Sequence, residues 1–73
     1  MGANSERVRF VVEFQDGTTA IFYVDRSTLE RLGPHVAYGV ARSYQLAGVL
    51  PDKTIQDLWQ APGRARVQRP ESG

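Results

Sequence analysis

Val8-Arg9-Phe10-Val11-Val12-Glu13-Phe14-Gln15, then Asp16-Gly17, then Thr18-Thr19-Ala20-Ile21-Phe22-Tyr23-Val24 carries the strongest structural signal in the chain. Two runs rich in β-branched and aromatic residues, separated by Asp-Gly, read as a β-hairpin. A two-residue type I′ turn needs positive φ at both central positions, and Asp and Gly tolerate it. That loop sets a register with Phe14 opposite Thr19, Val12 opposite Ile21, Phe10 opposite Tyr23 and Val8 opposite Asp25 on a core face. The second face then carries Glu13 opposite Ala20, Val11 opposite Phe22 and Arg9 opposite Val24.

After Asp25 the period changes. Ser27-Thr28-Leu29-Glu30 has the form of a capping box and predicts a short helical turn. Gly33 offers a left-handed stop, and Pro34 suits the first position of a second helix over residues 34 to 47. In that helix Val36, Val40, Tyr44 and Ala47 form an apolar stripe bordered by Ala37, with Arg42 and Gln45 pointing elsewhere. Gly39 inside it reflects close backbone approach or simple tolerance. Ile55, Leu58 and Trp59 recur at helical spacing, which favours a short third helix capped by Asp52. The alternation Ile55-Asp57-Trp59 also allows a third strand over 54 to 60. In either form Trp59 is expected to be substantially buried against the hairpin. The fold class expected is α+β: an N-terminal hairpin, with a possible third strand, packed by two or three short helices.

Around this pattern lie 73 residues with 41% hydrophobic content, formal net charge +1 and no cysteine. Residues 1 to 60 hold six basic against seven acidic side chains, and residues 61 to 73 hold Arg64, Arg66 and Arg69 against Glu71. The body is thus at −1 and the tail at +2. With Pro62, Gly63, Pro70 and Gly73, and Val67 as its one large aliphatic side chain, the tail cannot offset its ordering entropy. This gives one domain over 6 to 60 and a flexible basic tail over 61 to 73. A domain of this size nets about 3 to 5 kcal/mol from its core, without disulfides to add to it. Self-association or a partner would supply the remainder. No apolar run approaches the roughly 20 residues of a membrane span, and residues 1 to 6 lack the basic and apolar stretches of a secretory signal. A cytoplasmic location is the expectation.

The chemistry available is narrow. His35 is the one histidine, and without cysteine no thiolate or multi-histidine metal site can be assembled. Asp16, Asp25, Glu30 and Asp52 have structural tasks by position, and no pair of carboxylates is set up for acid-base work. Neither a nucleophile elbow nor a phosphate loop is present. No catalytic residue, cofactor or metal is expected, and the chain reads as a non-enzyme. Two binding readings remain. Val11, Ala20, Phe22 and Val24, on the second hairpin face, would contact a protein partner or a second copy if nothing in the chain covers them. Alternatively, Arg7, Arg9, Arg64, Arg66 and Arg69 would bind nucleic acid, although the near-neutral body and a pI of about 8.2 weigh against it.

Overall fold

The chain reverses at Asp16-Gly17, through a loop one residue longer than a type I′ turn. In the computed structural model, which describes residues 6–63 and 65–67, the Gly17 N–H donates to the Phe14 carbonyl and the Phe14 N–H to the Thr18 carbonyl, each at 2.9 Å. Gln15, Asp16 and Gly17 form a three-residue loop in which Gly17 alone has positive φ, at 91°. A type I turn closed by a glycine bulge requires the left-handed region once rather than twice, so Asp16 avoids it.

Asp16 holds the turn through its side chain. Its Oδ1 accepts from the Thr18 N–H at 3.0 Å and the Thr18 hydroxyl at 2.6 Å, and Lys53 Nζ lies 2.8 Å from Oδ2. Lys53 first, and Thr18 with it, hold the Asp16 carboxyl well below the usual carboxylate range. A pKa depressed in the folded state contributes stability above the unfolded value, near pH 4, that fades as pH falls below it. Solvent exposure of the pair keeps the effect small. Asp16→Asn keeps an acceptor for Thr18 and loses the charge, so its urea midpoint should fall less between pH 5 and pH 2 than that of the parent chain. Parallel acid limbs would refute this.

The loop length fixes the register of β1 (Arg7–Phe14) with β2 (Thr19–Asp25). Val8 opposes Val24, Phe10 opposes Phe22 and Val12 opposes Ala20 on one face. On the other, Arg7 opposes Asp25, Arg9 opposes Tyr23, Val11 opposes Ile21 and Glu13 opposes Thr19. This corrects the register set by a two-residue loop. Shifting by one residue turns every β2 side chain to the opposite face. Phe22 and Val24 accordingly lie in the core, at 3% and 4% exposure. The Phe10 and Phe22 rings stack at 5.7 Å between centroids.

Helix α1 (Arg26–Leu32) starts one residue before Ser27, with Asp25 at the N-cap and no side-chain cap bond, so the capping box is not formed. Its N-terminus is held instead by the Arg26 N–H donating to the Glu6 carbonyl at 2.9 Å and by the Arg26–Glu6 ion pair at 3.1 Å. Gly33 stops the helix at φ 92°, as its sequence position implies. Helix α2 (Val36–Leu46) follows a tight turn in which the N–H groups of residues 36, 37 and 38 bond three residues back. Its most deeply buried residues are Ala37, Ala41 and Gln45, flanked by half-buried Val36, Val40 and Tyr44. The expected stripe is therefore rotated. Two alanines at its centre let the helix backbone lie close to the sheet, while Tyr44 reaches past them to meet Phe22 edge-on at 6.1 Å. Gly39 faces open space, so tolerance explains it.

Residues 55–61 form a strand, β3 (Ile55–Ala61), not the favoured third helix. It pairs antiparallel with β1, Val12 opposite Leu58 and Val11 opposite Trp59, with a bulge at Gln56 that lets both Ile55 and Leu58 face the core. The bulge produces the three-residue spacing that imitates a helix. After a cis Ala61-Pro62 bond and Gly63, β4 (Ala65–Arg66) pairs with β3, and Val67 is buried, its N–H donating to the Leu58 carbonyl at 2.9 Å. Ala61 thus ends β3, and residues 65 to 67, within the tail expected over 61 to 73, lie against it. Residues 64 and 68–73 lie outside the described residues. The result is an α+β domain: an antiparallel sheet of order β2-β1-β3-β4 with two helices on one face. No helix among the described residues is long and apolar enough to cross a membrane.

Candidate functional site

The helices lie on the sheet face that carries Phe10, Val12, Phe22 and Leu58, which are all buried. Among the described residues no element covers the opposite face. The pairing sets its cross-strand rows: Asp25 and Arg7; Tyr23, Arg9 and Ala61; Ile21, Val11, Trp59 and, in β4, Arg66; Thr19, Glu13 and Asp57. The middle two rows are largely apolar and aromatic. Ile21 is 55% exposed and Tyr23 45%, while Val11 and Trp59 are half-buried beside them. An edge strand accounts for the gradient, since β2 has no outer neighbour to shield Ile21 and Tyr23.

Charge is distributed along the strands rather than around the face. Arg7 and Arg9 stand at one end, with Arg7 facing Asp25 at 3.9 Å, and Glu13 and Asp57 stand at the other. Among the described residues, no ion pair takes up Arg9 or Glu13. A hollow at the basic end is lined by Arg9, Tyr23, Arg26, Gln60 and Pro62, among others. A second hollow runs beside β2 under Tyr44 and Val49.

Of the residues expected to form a protein interface, Val11 alone lies on the open face. Phe22 and Val24 are core residues, and half-buried Ala20 faces the same way. Ile21, Tyr23 and Trp59 take their places, and the sequence reading missed them. A signal was available in β2. Ala20, Phe22 and Val24 are uniformly apolar, whereas the alternate set Thr19, Ile21, Tyr23 and Asp25 is polar at both ends. Matching the uniformly apolar set to Val8, Phe10, Val12 and Phe14 selects the observed register.

The nucleic-acid candidates divide similarly. Arg7 and Arg9 project from the open face, exposed. Arg66 lies in β4 and pairs through its backbone with Trp59, and Arg64 and Arg69 fall outside the described residues. His35 is exposed at the start of α2. Among the described residues, no cluster of His, Cys, Asp or Glu could hold a metal ion. Three carboxylates outside the open face have basic neighbours: Glu6 pairs with Arg26, Asp16 with Lys53, and Asp52 lies 3.8 Å from Arg42. No protein-family model matches the chain, and neither a curated protein nor a solved structure does.

Proposed function

We propose that this chain is a small non-catalytic binding module that contacts protein through the open face of its sheet. The supporting observation is the exposed pair Ile21 and Tyr23, continuous with Val11 and Trp59 on a face that no element of the described chain covers. Burying such a surface releases water from apolar area, and a domain this small has little stability to spare. A partner on this face would remove the exposure and add to the stability together.

The same face argues against nucleic acid. Arg7 is shared with Asp25, and Glu13 and Asp57 sit two rows from Arg9, where a phosphate backbone following the sheet would meet them. A photoreactive benzoylphenylalanine in place of Tyr23 tests the protein reading in cells, with the same group in place of exposed Arg31 on α1 as control. Irradiation should give a higher-mass protein adduct from position 23 and none from position 31. No adduct at 23, or equal adducts at both, would overturn the reading.

A further inference from the structure

We propose that the occupant of the open face is a second copy of this chain, packed face to face about a two-fold axis that runs along the row Ile21, Val11, Trp59. The proposal rests on the binding reading above and names its partner. A face-to-face pair related by a two-fold must have its axis in the plane of contact, because only then does the rotation turn one face onto the other. Two orientations suit a sheet. An axis parallel to the strands lays Arg9 over Arg9 and Glu13 over Glu13 when it follows β1, and over Tyr23 or Ala61 and Thr19 or Asp57 when it lies between β1 and a neighbour, so in no case over an opposite charge. An axis across the strands exchanges their ends.

Arg9 and Glu13 lie on the same strand two residues either side of Val11. An axis through the Val11 row therefore carries Arg9 of each copy over Glu13 of the other, making two ion pairs. Three positions on the axis are apolar and meet their own images: Ile21 over Ile21, Val11 over Val11, Trp59 over Trp59; the row ends at the β4 edge with Arg66. Arg9 and Glu13 form no ion pair within the chain among the described residues, so each is available to the other copy. The usual offset of about 30° between packed sheets is within the reach of an arginine side chain.

The size of the face sets the strength. Four strands about 4.8 Å apart and rows about 6.8 Å apart give roughly 400 to 500 Å² per copy, below the roughly 800 Å² per partner of a stable complex. The dimer is accordingly weak and dissociates on dilution. Sedimentation equilibrium from about 1 μM to 1 mM should resolve monomer and dimer in that range. R9E sets an introduced carboxylate against Glu13 of the other copy, and E13R sets an introduced guanidinium against Arg9 of the other copy. Each single variant should therefore raise the dissociation constant about tenfold. The double variant R9E/E13R restores opposite charges across the axis and should return it to near the parent value.

A chain that stays monomeric to 1 mM, or a double variant no better than the singles, overturns the proposal. Should the charge variants not fold, Ile21→Lys at the exposed edge should abolish the dimer, and a folded Ile21→Lys that still dimerises also overturns it. If the chain is monomeric while position 23 cross-links to a different protein, the dimer fails and the binding reading stands. If no adduct forms at 23, the binding reading itself fails.

Discussion

Phe22→Ala should leave most of the chain unfolded at 25 °C, whereas Ile21→Ala should leave it folded. Phe22 is in the core, stacked on Phe10 and meeting the edge of Tyr44. Truncating a buried phenylalanine costs about 3 to 5 kcal/mol, through lost transfer energy and the cavity left behind. A domain of this size has about that much stability in total. Ile21, one position away, is more than half exposed, and a substitution there changes stability by about 0.5 kcal/mol. Urea titrations followed by circular dichroism at low micromolar concentration measure both, where the proposed dimer is the minor species. The contrast tests the register directly. A two-residue loop would put Ile21 inside and Phe22 outside, so a larger loss at Ile21 than at Phe22 would refute the pairing of Phe10 with Phe22.

The same contrast shows which parts of the fold local sequence can determine. The position of the turn, the strand character of its flanks and the stop at Gly33 each depend on one or two residues whose backbone preferences are strong. The register depends on whether the loop has two or three residues, and Asp-Gly serves both. The choice is made by what the loop joins: the three-residue form aligns two uniformly apolar faces, and Asp16 is then placed to accept from Thr18 and pair with Lys53. β3 was legible only as the alternative to a helix, for a different reason. Its bulge at Gln56 exists because β1 offers a free edge, a tertiary fact with no local trace. The site followed the register: Arg7, Arg9 and Val11 on β1 were assigned to the correct face, and Phe22 and Val24 on β2 to the wrong one.

Gln45 is the residue whose role was least visible in the sequence, and replacing it should have the second-largest effect. A glutamine near the end of an amphipathic helix reads as solvated, yet Gln45 is 5% exposed. Its Nε2 donates to the Pro51 carbonyl at 2.9 Å and the Lys53 carbonyl at 2.8 Å, and its Oε1 accepts from Arg42 at 2.6 Å. The segment it holds carries Lys53, which reaches Asp16, and Thr54, whose carbonyl accepts from the Gln15 N–H at 3.0 Å. One side chain thus ties the end of α2 to the hairpin loop. Gln45→Met keeps the length and apolar stem and removes both donors, taking that bond from the Lys53 carbonyl and leaving the Pro51 carbonyl the Lys53 N–H, at a cost of about 1 to 3 kcal/mol. Hydrogen exchange at the Gln15 amide should accelerate with it, because the loop that accepts from that amide is released. Gln45→Glu should be worse at neutral pH, where a carboxylate faces the same two carbonyls. A Gln45→Met chain as stable as the parent, or one whose Gln15 amide exchanges no faster, would show that the clamp does not hold the loop.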